Sequence, residues 1–158
     1  MKRKVNLSTY SMIVSGIGLI VLLVALYYSN DIWSISLISA VLVLLCASAL
    51  FYMPLSVSVD DEYLCVNRSL RVKCIPLSEI SSITLMQPTM AERRIIGSGG
   101  WFGYWGWFRE SSIGKYFAYY GKASDCFLVK LKNGCQYVLG CENPDDIVSR
   151  VSSMIGQK

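Results

Sequence analysis

The chain has no histidine among its 158 residues. A serine or cysteine nucleophile normally needs a base within reach, usually histidine, so hydrolase or transferase chemistry of that kind has no support. Asp60, Asp61 and Glu62 have the charge to hold a hard cation, but three acids in a tight turn are usually only solvated. The six cysteines form no Cys-x-x-Cys pair, and without histidine there is no zinc spacing. Gly97, Gly99 and Gly103 miss the Gly-x-Gly-x-x-Gly spacing, and no strand-to-helix context follows them. The expectation is a protein that is not an enzyme, with no catalytic residues, no metal and no cofactor.

The side chains suited to recognition cluster in one stretch, residues 93 to 115. Three of the four tryptophans and five glycines lie between Arg94 and Arg109. Aromatics occupy both alternation parities: Trp101, Trp105 and Trp107 on one, Phe102, Tyr104 and Phe108 on the other. A strand with one face in a core buries a single parity there. The other parity meets the carboxy-terminal helix, a lipid interface or a partner, unless both are covered within the domain. Arg93, Arg94, Arg109 and Lys115 stand beside these rings and suit anionic headgroups. The candidate binding residues are therefore Arg93, Arg94, Trp101, Tyr104, Trp105, Trp107, Arg109 and Lys115.

What precedes this stretch decides where it works. No charge occurs from Val5 to Asn30 or from Ile32 to Val59. About 20 apolar residues suffice to cross a bilayer as a helix, and bare peptide groups cannot cross any other way except in a closed barrel. The expectation is a transmembrane hairpin, with a basic amino terminus over 1–8, one helix over 9–29, a turn at 30–31, a second helix over 32–54, and a domain over 55–158. The first run is too long for a cleaved signal and ends without small residues at a cleavage site. Lys2, Arg3 and Lys4 precede it while the turn holds only Asp31, so the positive-inside rule puts both ends in the cytoplasm of an inner (plasma) membrane protein. Ser11, Ser15, Gly18 and Ala25, and then Ser36, Ala40 and Ala47, make small-residue seams. These serve packing of the two helices on each other or self-association. In a reducing compartment the cysteines are expected to be free thiols.

After Pro54 the pattern shortens to alternating runs that read as strands. Leu70, Val72 and Cys74 point one way and Arg71 and Lys73 the other. Residues 87 to 92 read as a loop. Asn133-Gly134 between two such runs marks a two-residue hairpin with positive φ at both positions. The last element is a helix with Asn143 as cap, Pro144 in its first turn, Asp145 and Asp146 at its positive end, and one apolar stripe through Ile147, Val148, Val151, Met154 and Ile155. The domain is about seven antiparallel strands followed by one amphipathic helix. From Ser56 onward there are 12 basic and 10 acidic residues, too even a balance for a nucleic-acid footprint.

That order of elements resembles the pleckstrin-homology (PH) fold, a seven-stranded bent barrel capped by a carboxy-terminal helix. The local motifs are similar to those of bacterial PH-like domains in small membrane proteins: Arg94, Gly97, Gly99, Gly100, Phe102, Gly103, Tyr104, Gly106 and Phe108, then Gly114 and Tyr119 or Tyr120, then Gly134, Tyr137-Val138-Leu139, Pro144 and Ile147. The resemblance covers roughly residues 55 to 156 and implies a mostly β, α+β domain that binds or scaffolds rather than catalyses. It does not imply phosphoinositide binding, because Asp60, Asp61 and Glu62 stand where family members that bind inositol phosphates carry basic residues. The expected partners are the membrane itself, a protein, and anionic lipid as a further candidate. The alternatives are an accessory subunit of a membrane assembly working through its transmembrane helices, or a membrane-surface lipid-contacting module.

Overall fold

In the computed structural model, residues 1–89 and 93–156 are described. The expected loop over 87–92 lies partly outside them.

Ser8 caps the first helix, α1 (Thr9–Tyr28), by accepting the Ser11 amide, and Asp31 caps the second, α2 (Ile32–Tyr52), by accepting that of Ser34. Each is about 30 Å long, at 1.5 Å per residue, which is long and apolar enough to cross a membrane. Their flanks carry exposed Ile13, Ile17, Ile20, Val24, Leu37 and Leu44, unlike those of a buried core helix. The second helix stops at Tyr52, and Pro54 opens a strand.

Two sheets follow. The first has the order β1 (Lys2–Lys4), β2 (Pro54–Val59), β3 (Tyr63–Arg68), β4 (Val72–Pro76). Its edge strand β1 is the basic amino terminus, which pairs Arg3 with Val57. The Met1 ammonium donates to the Val59 carbonyl at 2.8 Å, and the Glu142 amide to that of Lys4 at 2.8 Å. The residues expected to act only as a topology signal are thus a structural strand. The second sheet contains β5 (Ile80–Leu85), β6 (Arg93–Gly100), β7 (Gly103–Glu110), β8 (Gly114–Tyr120), β9 (Cys126–Leu131) and β10 (Gln136–Gly140), in the order β5-β9-β10-β8-β7-β6. One pair, β8 with β10, is parallel rather than antiparallel. The sheets do not close into a barrel. They pack face to face around Val57, Val59, Leu64, Val66, Phe127, Val129 and Leu139, all essentially inaccessible.

The last helix, α3 (Pro144–Ile155), buries Ile147 and Val151 in that core with Val148, Met154 and Ile155 beside them. Asn143 sits at its N-cap in a left-handed conformation (φ 51°) and makes no side-chain cap bond, which corrects the capping role expected of it. Asp146 instead pairs with Arg3, tying α3 to β1. The β9–β10 hairpin forms as expected, but its loop spans 132–134, Leu131 donating to Cys135 at 2.8 Å. Gly134 alone has positive φ there (82°), the pattern of a three-residue loop.

The thiol expectation is overturned at one pair. Cys65 and Cys74 are directly opposed across β3 and β4, with Cα atoms 4.0 Å apart, and form a disulfide. Strand register, which compartment arguments ignore, brings them together. Cys46, Cys135 and Cys141 are in no disulfide, and the Cys126 thiol donates to the Lys122 carbonyl at 3.2 Å.

Candidate functional site

The glycine- and tryptophan-rich stretch is a hairpin rather than a single strand. Strands β6 and β7 pair from Arg93–Arg109 down to Gly100–Gly103, and Trp101-Phe102 make the turn. Gly97 faces Gly106 across it at φ 129° and 122°. A Cβ on Gly97 would lie 2.2 Å from the Trp105 carbonyl, and one on Gly106 2.3 Å from that of Ile96. The strands cross too closely for side chains, so the two glycines are a packing requirement.

The hairpin tip is seated on the helix pair. Ser15 donates to the Gly100 carbonyl at 3.3 Å and accepts the Phe102 amide at 2.9 Å. The Trp101 indole donates to the Leu45 carbonyl of α2 at 3.2 Å, and a Cβ on Gly18 would come within 3.0 Å of its ring. The small face of α1, read from the sequence as a helix–helix or self-association seam, therefore receives the hairpin through Ser15 and Gly18. Trp105 stacks on Tyr52, the last residue of α2, with centroids 4.7 Å apart.

Register sorts the other rings. Trp105, Trp107 and Arg109 oppose Tyr119, Phe117 and Lys115, and Tyr137 opposes Phe117. These side chains share the face turned toward the first sheet. Tyr104 and Phe108 lie on the other face, in a second cluster with Tyr116, Tyr120, Leu128 and Val138. Tyr104 stacks on Tyr120 at 4.7 Å. Both aromatic parities thus make contacts within the chain, while Trp101, Tyr104, Trp105 and Trp107 stay half-buried.

Cations stand over the rings of the first face. Lys115 Nζ lies 4.5 Å from the Trp107 centroid, Arg68 5.2 Å from Tyr119, Lys73 5.9 Å from Tyr137, and Arg71 5.8 Å from Phe51 of α2. Such contacts are worth about 0.5–1 kcal/mol each at exposed sites, so they orient the cations more than they stabilise the fold. Arg68 also donates to the Tyr119 hydroxyl at 3.1 Å. Burial raises the Tyr119 pKa above its ordinary 10.0, partly opposed by the Arg68 guanidinium. Phe117 meets Trp107 at 5.2 Å, Tyr119 at 4.8 Å and Tyr137 at 6.4 Å, joining the rings into one cluster.

The eight candidate residues therefore do not form one site. Trp101 and Trp105 seat the hairpin. Tyr104 packs in the second cluster. Trp107 and Lys115 belong to the cation–ring face, with Arg109 directly across from Lys115. Arg93 and Arg109 line a depression of about 390 Å³ at the far end of the hairpin, roughly 23 Å of strand from its tip at about 3.3 Å per residue. Arg94 is exposed and reaches back toward Gly99. The sequence reading missed Arg68, Arg71 and Lys73. It placed Leu70, Val72 and Cys74 together on one side, yet Leu70 and Val72 are 57% exposed. The signal was Ile75, which shares its parity with Arg71 and Lys73 and is buried.

A family model described as Bacterial PH domain matches residues 55–155, which is every strand from β3 on and all of α3. The chain belongs to the bacterial PH domain family. No curated protein and no solved structure matches it. In this PH domain the β2–β3 turn carries Asp60, Asp61 and Glu62, with Arg150 of α3 3.7 Å from Asp61. The cations instead gather on the β3–β4 turn, on β4 and at the start of β8.

Proposed function

We propose that this protein is a membrane-anchored, non-enzymatic PH-domain module that binds or scaffolds a protein partner at the cytoplasmic face of the plasma membrane. The supporting observation is the cation–ring face. Arg68, Lys73 and Lys115 project over an aromatic face that α2 meets through Tyr52, stacked on Trp105. Half-buried rings under exposed cations suit an acidic, partly apolar protein segment, with charge giving orientation and ring contact giving area. Two helices hold the domain at the bilayer, which raises the effective concentration of weak contacts. The cytoplasmic side follows from Lys2, Arg3 and Lys4 against the lone Asp31 in the turn. Cytosolic disulfides are mostly transient or redox-sensing, so on this reading the Cys65–Cys74 bond opens under reduction.

A pull-down in mild detergent tests the reading. Wild type and Lys130→Gln, a change on the exposed side of β9, should capture the same partner. Lys73→Gln combined with Lys115→Gln should lose it. Equal capture by all three proteins would reject the cation–ring face as the binding surface.

A second reading is assembly of the helix pair with other membrane helices. It is favoured by Ser36 and Ala40 of α2, which stay exposed while Ser11, Ser15 and Gly18 of α1 are covered. Stoichiometric copurification with membrane proteins, lost on Ala40→Leu, would support it.

A further inference from the structure

An apolar cleft of about 280 Å³ lies beside the seated hairpin. Its walls are Leu19 of α1, Cys46 and Leu50 of α2, Met53 just past the end of α2, and Phe102 at the hairpin tip, with Ser69 of the β3–β4 turn on one side. Two residues on from Ser69, Arg71 holds its guanidinium over Phe51, next to Leu50. We propose that this cleft takes one acyl chain of an anionic membrane phospholipid, with Arg71 against the headgroup phosphate.

The inference rests on the reading that α1 and α2 cross the membrane. Shape and chemistry both point to this occupant. A water needs two to four polar partners, and apart from Ser69 these walls offer sulfur and hydrocarbon. A further helix, about 10–12 Å across with its side chains, is too thick. The volume corresponds to roughly nine water-sized groups at about 30 Å³ each, a length of single hydrocarbon chain. Leu50 is 49% exposed at the opening, so a chain enters sideways from the bilayer without any rearrangement. Arg71 is exposed and stands at the end of α2 where that helix joins the domain, the level at which a headgroup sits when the tail lies along α2. No other molecule of that chemistry is so concentrated at this surface.

The test uses the full chain in vesicles of phosphatidylglycerol or phosphatidylcholine carrying a trace of the same lipid with a photoreactive diazirine in one acyl chain. After illumination, cross-linked peptides are mapped. The expected result is enrichment at Cys46–Met53 and around Phe102 over the outer flanks at Ile20, Val24 and Leu37. Cys46→Phe, a change at an exposed position that fills the cleft, should lower that yield roughly tenfold while the outer flanks label as before. Arg71→Gln should reduce the preference for phosphatidylglycerol about fivefold, as expected for one charge near the surface. Cross-linking that is uniform over both helices, or unaffected by Cys46→Phe, overturns the acyl site and leaves the membrane-spanning reading intact. No cross-linking anywhere on α1 or α2 overturns both.

Discussion

The Ser15 hydroxyl, seven residues into α1 from its cap, accepts the Phe102 amide at 2.9 Å and donates to the Gly100 carbonyl at 3.3 Å. One side chain thus satisfies two backbone groups at the tip of a β-hairpin that lies against an otherwise apolar helix. On the proposed reading that α1 crosses the membrane, this tip lies in hydrocarbon, where unsatisfied peptide groups cost several kcal/mol, so it needs such a partner. The helix pair and the PH domain are joined at this point as well as by the chain itself.

Ser15→Ala should therefore destabilise the full-length protein. It leaves a buried N–H without its partner, at a cost of about 1–3 kcal/mol, or roughly 2–10 °C in Tm for a chain of this size. Ser36→Ala, at an exposed position of α2, should leave Tm unchanged. Thermal unfolding of both variants in the same detergent checks this, and equal shifts would mean that the Ser15 bonds contribute nothing.

Cys141 links stability to alkaline pH. It is 1% exposed, and burial, partly opposed by Arg3, pushes its pKa from an ordinary 9.0 up to about 12. A folded-state pKa above the unfolded one stabilises fully below the unfolded value, so this contribution is intact below pH 9.0 and is lost as the pH rises toward 12. The slope is at most about 1.4 kcal/mol per pH unit. Tyr119 acts in the same direction from its ordinary 10.0 upward. Denaturant unfolding at pH 8 and above should show the wild-type advantage over Cys141→Ala shrinking as the pH rises past 9. A difference that stays constant with pH would contradict the linkage.

The disulfide can be tested without assuming which side of the membrane the domain faces. Cys65–Cys74 closes a short loop in a sheet whose core residues Val57, Val59, Leu64 and Val66 are buried regardless. Reduction should lower stability by about 2–4 kcal/mol yet leave the protein folded, with two more thiols open to alkylation after denaturation. Unfolding on reduction at room temperature would show that the bond carries the first sheet.

What the sequence makes legible is local. The helices expected over 9–29 and 32–54 end within two residues of α1 and α2. The Asn133-Gly134 hairpin and the Ile147–Ile155 stripe are where periodicity puts them, because turn chemistry and amphipathic spacing are short-range signals. The features that were not legible depend on register between distant segments. Strand β1 is three charged residues with no alternation, and it exists only because β2 offers an edge. Cys65 meets Cys74, and Gly97 meets Gly106, only once the strand pairing is known. The parity that puts the exposed Arg71 and Lys73 on the ring side of the first sheet is set by burial of Ile75, and the rings beneath them arrive from β10 and α2. The eight candidates from residues 93 to 115 looked like one patch because they are near in sequence, while a hairpin sends its two ends in opposite directions.

That separation permits the most direct test of the account, in which Trp101 sits in the bilayer against Gly18 and Leu45 while Trp107 lies on the domain face under Lys115. Two full-length proteins, each keeping a single tryptophan and carrying phenylalanine at the other three positions, are placed in vesicles whose acyl chains are brominated. Emission from the protein retaining Trp101 should be strongly quenched, and emission from the one retaining Trp107 should not. Quenching of Trp107 alone, or equal quenching of both, would contradict the seating of the hairpin in the membrane.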